Sequence, residues 1–231
     1  MRFGIKREFK KTGDGSQTIY LPDLDETYHS VHGAIQEAKH VFIQQGLQHF
    51  HEKNPNNDPI HILEMGLGTG LNAFLAAIWA AENNRQVIYC GIEAFPVDIE
   101  MNRAMDYPKS LGHSQLFETL ITAPWEESIS LSNNFQLLKI ERHFEEFQAE
   151  NAFDVLFYDA FGPRSQEEMW NEAVIAHASH FLKPGGIFVT YCAKGQLRRD
   201  LKNLNLLTER LPGPPGKREM TRATRPFYPI S

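Results

Sequence analysis

The spacing of apolar residues changes once along the chain, close to residue 55. Between 34 and 51, Ile35, Ala38, Phe42, Ile43 and Leu47 recur at helical spacing and predict a helix, which Asn54-Pro55-Asn56-Asn57-Asp58-Pro59 ends. Beyond the break, short apolar runs alternate with helical stretches. Strands are predicted at 60–64, 86–93, 136–140, 153–159 and 186–191, and helices at 72–83, 97–105, 167–181 and 197–203. Near-continuous apolar strands joined by helices predict a parallel sheet covered on both faces, in a doubly wound α/β fold. Segments 206–209 and 218–224, separated by Pro212-Gly213-Pro214-Pro215-Gly216, predict a closing antiparallel strand pair. Residues 1–55 form an N-terminal extension to the domain at 56–231.

Composition narrows the class. The 231 residues are 42% hydrophobic, enough for one core, and include only two cysteines, Cys90 and Cys192. A disulfide-stapled scaffold is therefore excluded, and both thiols read as small buried residues. No run approaches the roughly 18 apolar residues of a membrane helix. The start, Met1 to Glu8, carries no leader-like apolar stretch, so no membrane partner and a cytoplasmic location are expected. The net charge of −6 is uneven: residues 194–225 carry +6 and the rest −12. A basic tail on an acidic body is a candidate phosphate footprint, although a solvated helix face and a charged edge strand would look the same.

Chemistry concentrates at two predicted strand ends. Glu64-Met65-Gly66-Leu67-Gly68-Thr69-Gly70 turns the first strand into its helix. Glycines let such a turn approach a ligand closely, next to the free N–H groups of a helix N-terminus. A dinucleotide fingerprint would need glycine where Leu71 stands, which makes an NAD dehydrogenase the weakest candidate. The acid-x-G-x-G-x-G spacing suits S-adenosylmethionine, with Glu64 facing its sulfonium or amino group. Glu93 ends the second strand, 23 residues after Gly70, where a carboxylate can accept from both ribose hydroxyls. After the third strand, either His143 or Glu141 could reach an adenine edge, and both could equally be surface residues.

The fourth strand ends in Asp159-Ala160-Phe161-Gly162-Pro163, followed by Met169-Trp170. A carboxylate here can orient an attacking amine and take its proton, while Phe161 or Trp170 could stack on a base. The plainer readings are a helix-capping Asp159 and core aromatics. His29 and His32, or His177 and His180, have i,i+3 spacing but lack further ligands, so no metal is expected.

These pieces together resemble the methyltransferase domain of the MnmC family across essentially the whole chain. The resemblance is carried by Asp14-Gly15-Ser16, Tyr28-His29-Ser30, Gly33-Ala34, Glu37 and Val41-Phe42, then Glu64-x-Gly66-x-Gly68-Thr69-Gly70-Leu71-Asn72. Asp159-Ala160-Phe161-x-Pro163, Met169-Trp170, Lys183-Pro184-Gly185-Gly186, Arg198-Arg199 and Gly216-Lys217-Arg218-Glu219-Met220 complete it. It implies a Rossmann-like class I methyltransferase sheet with the extension packed over the cofactor pocket. It also implies methylation of the 5-aminomethyl group on a tRNA wobble uridine, often 2-thiolated. Asp159 would be catalytic, and Tyr28, Ser30, Glu64, Gly66, Gly68, Gly70, Asn72, Glu93, His143 and Asp159 would lie at the S-adenosylmethionine. Phe161, Pro163, Trp170, Arg198, Arg199, Lys217 and Arg218 would meet the tRNA. The chain is expected to carry the methyltransferase half without the family's FAD domain, as a monomer. His143 stands where the family usually has an acid, and Gly162 and residues 164–167 depart from its common wording. Two other readings stay open: a class I methyl- or aminopropyltransferase acting on a small amine, and a non-catalytic S-adenosylmethionine- or RNA-binding module.

Overall fold

The structure, a computed structural model, describes residues 6–228, so most of the start read above for a leader lies outside it. A small antiparallel sheet comes first, in the order β1 (Glu8–Lys11), β2 (Gln17–Leu21), β3 (Glu26–Thr27). A helical run follows: α1 (Ala34–Ala38), a π-helical stretch (Lys39–Gln48) and α2 (His49–Lys53). The apolar stripe of this run does not stand apart from the domain. Val41, Phe42 and Leu47 are buried in the main core, and Phe42 packs on Phe157 with ring centroids 5.2 Å apart. Gly46 permits this approach, since a Cβ there would come within 3.0 Å of both Phe157 and Val189.

The main sheet has eight strands: β4 (Ile60–Met65), β5 (Val87–Glu93), β6 (Ser128–Ser132), β7 (Phe135–Glu141), β8 (Phe153–Tyr158), β9 (Leu182–Thr190), β10 (Leu207–Pro212) and β11 (Glu219–Thr224). Their order is β10-β11-β9-β8-β4-β5-β7-β6. The central five are parallel, with β6 antiparallel on one edge and the β10–β11 pair on the other. Helices α3 (Leu71–Glu82), α4 (Ile99–Ala104), α5 (Tyr107–Leu111), α6 (Ser114–Thr122), α7 (Glu172–His180) and α8 (Gly195–Asn203) connect and cover it. The doubly wound expectation is met, including the closing pair.

Period-two alternation sends each strand's side chains to opposite faces. Ile62, Tyr89, Val155 and Phe157 meet the helical run and α3, while Leu63, Ile92, Leu156 and Phe188 meet α7 and α8. Cys90 and Cys192 are free and buried, as read. One predicted helix is divided: 167–181 becomes a 3-10 turn (Glu167–Trp170) and α7. Asn171 makes the break, because its side chain accepts from the Val174 N–H at 2.9 Å and caps α7. No helix among the described residues is long and apolar enough to cross a membrane.

Chain winding reverses between β4 and β8, which pair in parallel with Met65 beside Tyr158. Ligands of open α/β sheets sit outside the carboxyl ends of strands at such a point. The glycine loop after β4 and Asp159 after β8 therefore arrive side by side.

Candidate active site

A cavity of about 310 Å³ opens at this switch point, and Met65, Gly66, Gly68, Asn72, Glu93 and Asp159 all contribute to its wall. Gly66 has φ +90°, and a Cβ there would lie 2.5 Å from the Asp159 carbonyl oxygen. Only glycine lets the two strand ends come this close. At Gly68, φ +53°, a Cβ would press on the Tyr28 ring at 3.1 Å. At these two positions the loop is thus bare backbone.

Glu93 is held by main-chain donors. Its Oε2 accepts from the Gly68 N–H at 2.9 Å and its Oε1 from the Phe95 N–H at 2.8 Å. A carboxylate oxygen has two lone-pair sites, so each can still accept from a ligand. Phe95, 49% exposed, and His143 cross edge-to-face with centroids 5.5 Å apart on the cavity rim. His143 is on the wall, whereas Glu141 is not among the lining residues and its N–H donates to Glu126.

Glu64 departs from expectation. It is 1% exposed and faces the core beneath the loop, accepting from the Tyr89 hydroxyl at 2.6 Å and from Asn72 Nδ2 at 2.7 Å. The alternation of β4 decides this, because Glu64 shares the inward face of Ile60 and Ile62. Burial pushes its carboxyl well above the usual range, against the pull of the Tyr89 hydrogen bond. It reaches the cavity only through Asn72, whose Nδ2 also donates to Asp159 Oδ2 at 2.9 Å. The Asn72 Oδ1 is buried without a partner. Leaving such a group unsatisfied costs about 1–3 kcal/mol.

Asp159 is pushed up to about 7, first by burial and then by the negative charge of Glu37, while the Asn72 hydrogen bond and Lys217 pull it down. Glu37 and Lys217 form an ion pair at 2.6 Å, with the ammonium 3.7 Å from the Tyr191 ring centroid. Neither Glu37 nor Tyr191 was read as a site residue, and only the resemblance named Glu37. His29, lining the cavity, is lowered to about 4 by burial and is neutral at pH 7.

The loop after Asp159 is pinned from several sides. The Tyr191 hydroxyl donates to the Ala160 carbonyl at 2.7 Å, and Trp170 Nε1 donates to that of Phe161 at 2.7 Å. The Ser165 hydroxyl donates to Glu26 of β3 at 2.9 Å. Tyr28 meets Phe161 edge-on at 5.1 Å. Phe161 lines the cavity, whereas Trp170 is 8% exposed between Tyr158 and Tyr191, in the position of the core-aromatic reading, and its indole holds the loop. Its indole N–H needed a buried acceptor and found one. Pro163 lines a separate groove beside α8.

Other expected residues sit away from the cavity. The Ser30 N–H donates to Glu37 and its hydroxyl accepts from the His32 N–H. Gly70, with φ +77°, begins α3 and lines a second cavity behind the loop. Arg198 is paired with Glu219 at 3.2 Å and Lys217 with Glu37 at 2.6 Å. Arg199 and Arg218 remain exposed. Among the described residues no group of three or more His, Cys, Asp or Glu could hold a metal ion.

Residues 126–226 match a family described as S-adenosyl-L-methionine-dependent methyltransferase. The chain is 28% identical over 221 residues to the tRNA 5-methylaminomethyl-2-thiouridine biosynthesis bifunctional protein MnmC of Leptospira borgpetersenii, covering 89% of this chain and 33% of that protein. The protein of the same name from Marinomonas sp. is 28% identical over 210 residues, covering 86% and 31%. The chain thus spans about a third of the length of the curated relatives it matches. Among solved structures, MnmC2 from Aquifex aeolicus superposes with a TM-score of 0.73 at 24% identity, over all of this chain and 74% of that one. Spermidine synthase from Thermotoga maritima superposes at 0.53 and 15% identity, over all of this chain and 84% of that one. Both likenesses are of fold.

Proposed function

We propose that this chain, which is similar to S-adenosylmethionine-dependent methyltransferases and to MnmC proteins, methylates an amine, the 5-aminomethyl group of a tRNA wobble uridine, to 5-methylaminomethyl. The observation that carries this reading is Asp159, a largely buried carboxylate raised to about 7 on the wall of the cavity beside the glycine loop. The tRNA and the 5-methylaminomethyl product come from the names of the relatives, and the wobble position from the resemblance of the sequence motifs.

The cavity fits the cofactor on its own features. Gly66 and Gly68 leave a cradle that a Cβ would fill, and Glu93 presents a preoriented carboxylate at a strand end. Glu93 would take the ribose hydroxyls, and Phe95 with His143 would flank the adenine. S-adenosylmethionine supplies a methyl group on a positively charged sulfur.

What the protein adds is a base and a position. An amine attacks only through a free lone pair, so it must arrive neutral or give up a proton. A carboxylate raised to about 7 is a stronger base than an ordinary aspartate, and it can share that proton as charge develops on nitrogen. The pinned loop holds Asp159 in place, and alignment of the reactants supplies much of the rate. Phe161 offers a ring face to the uracil, and the exposed Arg199 and Arg218 offer charge to the RNA backbone.

Labelled methyl transfer to tRNA bearing 5-aminomethyluridine tests the reading. Wild-type protein is expected to transfer label, and Asp159→Ala to lose at least about 100-fold in rate while still binding S-adenosylmethionine. No transfer by folded, cofactor-bound wild type rejects it.

A further inference from the structure

Asn72 joins two carboxylates and has one atom left over. Its Nδ2 carries two N–H groups, and Glu64 Oε1 and Asp159 Oδ2 accept from it at 2.7 and 2.9 Å. This orientation of the amide gives each acid an N–H to accept, where a flipped Asn72 would need both acids to be protonated. The Oδ1 therefore points away from both carboxylates. It is buried and unpartnered, on a side chain that is 2% exposed and forms part of the cavity wall. Asp159 has the complementary vacancy. Its Oδ2 is taken by Asn72, and its Oδ1 has no hydrogen-bond partner among the described residues.

We propose that Asn72 Oδ1 and Asp159 Oδ1 form a two-acceptor seat for a primary amine, making Asn72 the residue that limits transfer to one methyl group. The inference rests on the amine-methylating reading above. A primary amine has two N–H groups and one lone pair. With one N–H on each acceptor, both orientations of the nitrogen are fixed and the lone pair is left to attack. The nitrogen–carbon bond forms as the sulfur–carbon bond breaks, and the electrons of the broken bond stay on sulfur. The surplus proton on nitrogen passes to Asp159. The product is a secondary amine with a single N–H. Seated again, it can satisfy one acceptor only, and its new methyl group would face the other. A site built to receive an N–H rejects an analogue lacking it, because its own buried polar atom is then stranded. The same geometry that admits the first methylation opposes the second.

The test compares two tRNAs, one carrying 5-aminomethyluridine and one carrying 5-methylaminomethyluridine at the wobble position, with wild type and Asn72→Leu. Rates, product masses and S-adenosylmethionine affinity by calorimetry are read for each. Wild type is expected to favour the primary amine by at least about 100-fold in kcat/KM and to give no dimethylated product. Asn72→Leu is expected to bind cofactor within about threefold of wild type, to lose about 30-fold in kcat on the primary amine, and to narrow the preference to roughly tenfold with dimethyl product accumulating. Wild type that methylates both amines equally overturns the inference, whatever the variant does. So does a variant that keeps the preference but loses cofactor affinity, since Oδ1 would then serve the amino group of S-adenosylmethionine. Transfer to neither tRNA by cofactor-bound wild type rejects the amine reading itself.

Discussion

Asp159 takes its chemistry from its neighbours at the end of β8, where burial and Glu37 raise it and Asn72 and Lys217 lower it. If its ionised form is the base, kcat/KM should rise with pH along a limb near 7 and then level. A flat profile between pH 5.5 and 8.5 would remove it from that role. Stability carries the opposite sign. The folded carboxyl lies above the ordinary 3.8, so between about pH 4 and 7 the folded state binds more protons than the unfolded one, and stability falls as pH rises through that window. Asp159→Asn should therefore melt about 4 °C above wild type at pH 8, with the gap closing towards pH 4 in a thermal scan. The placing of Asp159, Glu93, Gly66 and Gly68 on the cavity wall was legible because strand ends and glycine spacing are local features. Glu64 was not, since its inward turn depends on which face of β4 is covered. For Trp170 the sequence left base stacking and core packing both open, and its acceptor, the Phe161 carbonyl, belongs to the loop geometry.

Among the elements, the turn from β4 into α3 has the least freedom. Gly66→Ala combines a φ of +90° with a Cβ 2.5 Å from the Asp159 carbonyl. It should cost at least about 2 kcal/mol in urea unfolding and abolish S-adenosylmethionine binding. A variant that binds cofactor with wild-type stability would show that the two strand ends need not meet so closely. The five parallel strands were readable as apolar runs. The β1–β3 sheet was not, since its strands are short and β1 is exposed throughout. The run from α5 through β6 was equally silent. Asp106, His113 and Glu126 turn the chain there at positive φ without glycine, and α5 has only five residues. That missed sheet nevertheless reaches the site through Glu26 to Ser165, and Arg7, just before β1, donates to the Phe95 and Pro96 carbonyls.

Over the whole molecule, the +6 of residues 194–225 is partly consumed by the fold. Arg222 is 5% exposed, pairs with Glu209 at 2.9 Å and donates to Gln45. Arg225 donates to Asn151 and the Leu182 carbonyl. Arg218 differs, with its side chain 92% exposed and 3.9 Å from Glu219. The two arginines should therefore separate by experiment. Arg222→Ala should lower stability by about 2 kcal/mol, and Arg218→Ala should leave it unchanged while weakening tRNA binding and reducing its salt slope by roughly one. Equal salt slopes for Arg218→Ala and wild type would move the RNA to another face. Net charge showed that a basic region exists, but not which members fold inward, because ion pairing depends on tertiary neighbours. The central claim, methylation of a tRNA wobble amine, is tested most directly by mass analysis of wobble nucleosides from cells lacking this protein. The account predicts that 5-methylaminomethyl nucleosides disappear, that their 5-aminomethyl precursors accumulate, and that wild type but not Asp159→Ala restores them. An unchanged nucleoside profile would contradict it.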